Sequence, residues 1–304
     1  MLLFHRLLKP FACSLKMELN KFYSANIYFF SSVLTSLINK EIVYGFGFRR
    51  HFLLTAIQST VIATLSFCIM MKTGEKIKAS SARRWLPTAG FLGAMIVSNM
   101  KALYYFDVSL YTLYKNGSII LVALLEQYCF GRRISPIGYG AFVIMICSSW
   151  TAEFGSRNSA VGYAWMATNI FATTAYVLHL KMLMDQNRSK IESVFYTNLL
   201  TIPILGILSS VLEREVKESH LRAPVLLLVA ASSATALITA YSAAWTLKTL
   251  SSTAYSMLGA SNKLCLSGAA IFWFNETRSP LKLLSLGIGV ISGFVYSYDT
   301  SRQK

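Results

Sequence analysis

Two lysines, Lys115 and Lys263, each lie inside an apolar run long enough to cross a bilayer, and each stands beside an asparagine. YTLYKN carries Tyr111, Tyr114, Lys115 and Asn116; YSMLGASNK carries Tyr255, Gly259, Ala260, Ser261, Asn262 and Lys263. An ammonium at the centre of a membrane helix costs roughly 2.5–3.5 kcal/mol on insertion scales, so a chain keeps one there mainly where it lines a wet cavity and meets an anion. Gly259 and Ala260 let a backbone or a ligand come close, and the flanking amide and hydroxyl offer donors and acceptors beside the charge. Ammoniums for phosphate oxygens, with amides and phenols for hydroxyls, suit a phosphorylated ligand. Pairing with Glu126 is the competing reading for Lys115, but a partner about three turns along the same helix is too far for direct contact. The other intramembrane ionisable residues are Lys40, Glu41 and Lys101, and snorkelling or pairing near a helix end accounts for them.

A third group is FYTN, Phe195, Tyr196, Thr197 and Asn198. An aromatic pair in a membrane helix is ordinarily packing or an interfacial belt. Beside Asn198 it becomes a fit for a planar base, which wants an aromatic face and an amide to match its edge. Pro203, further along, is placed to loosen that helix.

The elements that must position these residues follow from composition. The chain has 304 residues, 54% hydrophobic and 14% charged, with a mean hydropathy of +0.49; this is a membrane protein. At about 20 apolar residues per span it divides into about ten helices, which we place at Phe22–Tyr44, Phe52–Met71, Leu86–Phe106, Ser109–Phe130, Pro136–Glu153, Val161–Met184, Ser193–Leu212, Pro224–Leu247, Ser252–Phe274 and Leu281–Tyr298. The runs are too long and too unalternating for barrel strands. Residues 1–21 read as a retained tail, 22–154 as a first transmembrane repeat, 161–298 as a second, and 299–304 as a closing tail. The net charge of +16 is scattered between apolar runs without a patch of interleaved aromatics, which argues against nucleic acid as a partner. Five cysteines without a CxxC and four histidines without ligand spacing call for no metal, cofactor or disulfide framework.

Loop charge sets the orientation. Seventeen lysines and arginines fall on the side holding both ends of the chain and eight on the other, so both termini are expected in the cytosol. Laying Ser109–Ile144 on Thr253–Ile288 without gaps matches Tyr111 to Tyr255, Phe130 to Phe274, Ser135 and Pro136 to Ser279 and Pro280, and Ile144 to Ile288. Each half would hold an odd number of spans, so the two five-helix repeats would be inverted, the layout of carriers with a midplane site and alternating access.

FYTN at Phe195–Asn198 and GASNK at Gly259–Lys263 are similar to the FYNN and GALNK motifs of GDP-mannose transporters, in the nucleotide-sugar branch of the drug/metabolite transporter superfamily. LYTLYKNGSIILVALLEQYCFG at Leu110–Gly131 and TAYSMLGASNKL at Thr253–Leu264 look like that family's fourth and ninth helices. The resemblance runs from Ser24 through most of the chain. It implies a Golgi carrier that exchanges cytosolic nucleotide sugar for lumenal nucleoside monophosphate, with GDP-mannose and GMP as substrates. It also implies that Phe195, Tyr196 and Asn198 face the guanine, and that Tyr255, Gly259, Ala260, Asn262 and Lys263 contact sugar, ribose and phosphates. Thr197 departs from the first motif, giving a hydroxyl for an amide, and Ser261 departs from the second. The Thr197 change keeps open a carrier of another nucleotide sugar or of a phosphorylated metabolite. A membrane transferase, the alternative from a different class, needs clustered carboxylates, and only Glu126 lies clearly within a span, with Asp107 near a helix end. Membrane lipid is the one further partner expected, and the choice between monomer and homodimer stays open.

Overall fold

The computed structural model describes residues 2–48, 50–75, 77–106, 108–131, 133–153, 160–186, 188–213 and 223–262, together with 284, 287, 288, 291, 292, 295 and 296. Its helices are α1 (Leu2–Lys40, followed by a π-helical turn Glu41–Gly45), α2 (His51–Thr73), α3 (Ala79–Tyr105), α4 (Val108–Phe130), α5 (Pro136–Glu153), α6 (Ala160–Asp185), α7 (Lys190–Leu212), α8 (Ala223–Thr249) and α9 (252–262). No strand occurs among the described residues. The second and the fourth to eighth helices lie within three residues of their expected bounds. Two start early. Helix α3 opens at Ala79, and α1 at Leu2, so helix runs through the expected tail. Hydropathy marks where an apolar run begins, whereas Leu, Lys, Met and Ala keep a helix going through turns that also carry charged residues. The expected tenth span, 281–298, falls almost wholly outside the described residues.

The distribution of polarity is that of a bundle in lipid. Phe22, Phe30, Tyr104, Tyr128, Phe171, Ile207 and Leu227 are exposed, while Ser24, Gln58, Asn116, Glu126, Asn169, Lys181 and Ser232 are buried. Three helices among the described residues, α2, α7 and α8, are long and apolar enough to cross a membrane. Lipid tails give no hydrophobic drive for helix to meet helix, so small and hydroxyl side chains do the joining. Between α1 and α8, Ser24 Oγ meets Thr249 Oγ1 at 3.0 Å and Thr35 Oγ1 meets Thr239 Oγ1 at 3.3 Å. Gln58 Nε2 of α2 donates to Asn39 Oδ1 at 2.7 Å and Ser232 Oγ at 2.8 Å, tying α1, α2 and α8. Asn169 Nδ2 of α6 donates to Met95 O at 3.0 Å and Ser98 Oγ at 3.1 Å on α3. Near one end of that pair, a Cβ on Gly162 would lie 2.8 Å from Tyr105 Cβ, so only glycine allows the approach.

Helix α1 pairs with α8, α3 with α6, and α2 with α7. Exchanging α1, α2 and α3 for α6, α7 and α8 maps these pairings onto themselves. The antiparallel α2 and α7 are tied at both ends by carboxylates. Glu213, just past α7, accepts from the Phe52 amide at 2.7 Å and the Leu53 amide at 3.1 Å, satisfying two free N–H groups of α2's first turn. Glu75, just past α2, accepts from the Ser189 hydroxyl at 2.7 Å where α7 begins. Gly74, at φ 71°, turns the chain off the end of α2 in the left-handed conformation that glycine adopts freely.

Candidate functional site

A cavity of about 240 Å³ opens where α1, α3, α4, α6 and α9 meet. Helical spacing supplies its walls. Tyr28, Ser32 and Ser36 recur every four residues on α1; Tyr255, Ser256, Gly259, Ala260 and Asn262 form a stripe on α9; Lys115, Asn116, Ser118 and Ile119 come from α4; Thr173, Tyr176 and Val177 come from α6, and Met95 from α3. The Tyr28 and Tyr255 rings lie 5.0 Å apart. Gly259 faces Tyr28, where an added Cβ would stand 3.6 Å from the phenol oxygen. Small size there leaves room for a ligand between the two helices.

Lys115 reaches the cavity held by its own helix and by α3. Its ammonium donates to the Tyr111 hydroxyl at 2.8 Å and to Asn99 Oδ1 at 3.5 Å, while the Tyr111 hydroxyl donates to Asn99 Oδ1. Among the described residues, Asn116 Nδ2, Thr173 Oγ1 and both polar atoms of Asn262 are buried without a hydrogen-bond partner. An unsatisfied buried donor or acceptor costs about 1–3 kcal/mol, so four such atoms around one cavity mark a place that a polar ligand completes. The arrangement offers one ammonium, two amides, three phenols and several hydroxyls to an occupant.

Of the residues singled out in the sequence, Lys115, Asn116, Tyr255, Gly259, Ala260 and Asn262 line this cavity. Lys263 lies outside the described residues. Ser261 is buried and donates to Met257 O at 3.0 Å. Tyr111 sits behind Lys115, and Tyr114 packs on Phe106 and Tyr163 with ring centres 5.2 and 5.9 Å away. The FYTN group is one wall away. Phe195 and Tyr196 belong to a core with Met70, Trp85 and Val177, against which Tyr176 and Tyr255 pack. The Tyr196 hydroxyl accepts from the Lys78 amide and donates to the Lys78 carbonyl, both at 3.0 Å, closing the start of α3. Thr197 is buried with an unpartnered hydroxyl, and Asn198 Nδ2 donates to Val194 O at 2.8 Å within its own helix. Helix α7 continues through Pro203.

Sequence reasoning missed Tyr28, Ser32, Ser36, Thr173 and Tyr176; the signal was the four-residue recurrence of small polar residues after Tyr28. Lys181 is one of the seventeen basic residues expected in the loops on the side holding both termini. In fact Lys181 is buried inside α6, where it meets Asp185 at 2.9 Å and donates to Leu247 O at 2.7 Å and Leu250 O at 3.1 Å, at the end of α8. A cation there complements the free carbonyls of a helix C-terminus.

No protein-family model matches the chain. A GDP-mannose transporter of Scheffersomyces stipitis is 34% identical over 302 residues, covering 91% of each chain. The chain belongs to the GDP-mannose transporter family. Other relatives that carry the family's name are those of Komagataella pastoris, 32% identical over 90% of this chain and 89% of the relative, and Meyerozyma guilliermondii, 31% identical over 99% and 91%. A solved crystal structure superposes with a TM-score of 0.72 at 16% identity, covering 90% of this chain and 98% of that one, so the fold is shared. Members of the GDP-mannose transporter family are transporters and not enzymes, and the transferase reading falls with that.

Proposed function

We propose that this member of the family imports GDP-mannose, or a related GDP-sugar, into the Golgi lumen in exchange for GMP. Its two inverted repeats would expose the cavity to each side in turn. The observation that carries the reading is the cavity itself, where Lys115, Asn116 and Thr173 meet Tyr255 and Asn262 with several polar atoms unpartnered. The relatives' name gives the sugar nucleotide. The exchange symmetry of the helix pairings supports the inverted repeat, as does the placing of Tyr111 and Tyr255 each at the fourth residue of its helix.

Ligand sites for small molecules run to about 300–1,000 Å³, against about 240 Å³ here. A nucleotide sugar therefore needs the wall at Val177, Tyr176 and Tyr255 to give, and behind that wall lie Phe195 and Tyr196. In this reading the base enters as the FYTN core opens, while Lys115, Asn262 and Lys263 hold the phosphate and sugar end. The end of the bundle expected to face the cytosol is cross-tied at Glu75–Ser189, Tyr196–Lys78 and Lys248–Arg188, ties that would hold that side shut in this arrangement.

Counterflow in liposomes loaded with GMP, with UMP and CMP as controls, tests the assignment. Uptake of GDP-mannose driven by GMP alone is the expected result, and equal exchange with UMP or CMP would sink guanine selection. The buried, unpartnered Thr197 hydroxyl favours the second reading, a different nucleotide sugar in the same fold.

A further inference from the structure

A second cavity, of about 570 Å³, lies on the outer side of the bundle between α1 and three helices that are long and apolar enough, among the described residues, to cross a membrane: α2, α7 and α8. Its floor is apolar: Ile69 and Ile238 are 40% and 48% exposed there, beside Ile27 and Leu237. Its rim carries one cation, Lys190 at the start of α7, whose ammonium stands 4.7 Å from the Trp245 ring centre and 5.1 Å from that of Tyr241. The Trp245 indole donates to Asn20 Oδ1 at 3.1 Å, which fixes that ring at the rim. Lys248 donates to Arg188 O at 3.3 Å close by, and Glu75, which also lines the rim, is engaged by the Ser189 hydroxyl.

We infer that this groove binds an anionic phospholipid of the leaflet on the Lys190 side, with one acyl chain along Ile69, Leu237 and Ile238 and the phosphate on Lys190. Dimensions agree. From Trp245 to Leu237 is eight residues of α8, about 12 Å, close to half of a hydrocarbon core about 30 Å thick. Trp245 and Tyr241 stand where aromatic side chains settle at a membrane interface. Charge decides the headgroup. The aromatic faces that would receive a choline ammonium already hold the protein's own ammonium, so a zwitterionic lipid gains nothing from them, while the three cations Lys190, Arg188 and Lys248 outnumber the two carboxylates beside them, Glu75 in the lining and Glu192 at 3.9 Å from Arg188, and leave a net positive charge for an anionic phosphate.

The test uses the full chain, purified and placed in nanodiscs of phosphatidylcholine with a rising fraction of phosphatidylglycerol, and reads retained lipid by native mass spectrometry beside the melting temperature. Phosphatidylglycerol should be retained over phosphatidylcholine by about fivefold, the worth of one lysine near an anionic surface. Lys190→Glu and the milder Lys190→Gln should remove that preference. Ile238→Trp, which fills the exposed groove, should lower retention of both lipids, and Arg83→Glu, at an exposed position of α3, should keep the wild-type preference. Equal retention of the two lipids by the wild type would overturn the inference. So would a preference that survives in folded Lys190→Gln, or a melting shift that inorganic phosphate reproduces without lipid.

Discussion

Glu126, near the end of α4, holds the first turn of α9: Oε1 accepts from the Ser252 amide at 3.1 Å, and Oε2 accepts from the Thr253 amide at 3.1 Å and the Thr253 hydroxyl at 2.6 Å. A few residues earlier Lys181 holds the carbonyls that end α8. The corner between α8 and α9 is thus gripped by an anion on its free N–H groups and a cation on its free carbonyls, each sign matching the helix end it meets. Because α9 carries Tyr255, Gly259 and Asn262 into the cavity, the corner sets their register.

Glu126→Ala should lower stability by about 1.5–3 kcal/mol, the worth of hydrogen bonds to a charged acceptor, since two buried amides lose their partner. Glu126→Gln should cost less, because one carbonyl oxygen still accepts. Melting of the detergent-solubilised protein checks both. Uptake by Glu126→Gln should fall further than its folded fraction does, because the register of α9 shifts; uptake that tracks the folded fraction would reduce Glu126 to a structural tie.

Most of the fold was legible because apolar runs of spanning length have few other fates: α2 and α4 to α8 stand where hydropathy put them. The starts of α1 and α3 were not, since nothing in hydropathy separates a helical turn that carries charged residues from a loop. Half of the site was legible. Lys115, Asn116, Tyr255 and Asn262 announce themselves as polar groups in apolar runs, and they meet at one cavity. Tyr28, Ser32, Thr173 and Tyr176 look in sequence like ordinary helix-packing residues, and only the crossing of α1 and α6 beside α9 gives them a shared occupant. The placement of Phe195 and Tyr196 in a core, one wall from the cavity, depends on how α7 is rotated, which local spacing does not set.

Thr197→Asn, which restores the family's base motif, should tighten GMP binding or leave it unchanged. An added amide that reaches the base edge contributes about 0.5–1.5 kcal/mol, and the buried Thr197 hydroxyl has no partner to lose. Isothermal titration with GMP measures it. Loss of GMP exchange by a folded variant would mean that Thr197 is tuned to something other than guanine.

Asn187, in an Asn-Arg-Ser sequon on the side rich in lysine and arginine, should never carry a glycan, while Asn275, in Asn-Glu-Thr, should face the lumen. Both lie outside the described residues. Endoglycosidase treatment of the protein expressed in a glycosylating host, with Asn187→Gln as control, reads the orientation. A glycan on Asn187 would reverse it.

Asn262 and Lys263 separate a ligand site from a structural polar cluster. Both polar atoms of Asn262 are buried without a partner among the described residues, so Asn262→Ala removes a cost of about 1–3 kcal/mol in the empty protein. Its melting temperature should hold or rise, while the extra stabilisation given by GMP shrinks and uptake falls moderately, as one neutral hydrogen bond requires. Lys263→Ala should also remain folded, because deleting an intramembrane charge relieves desolvation, yet uptake should drop to near background as a charge-assisted contact to the substrate is lost. If Lys263 instead serves to pair with a carboxylate, its removal strands that partner and the melting temperature falls with activity. Melting with and without GMP, measured beside counterflow for the wild type and both variants, distinguishes the two: a destabilised Lys263→Ala whose transport matches its folded fraction would remove Lys263 from the site.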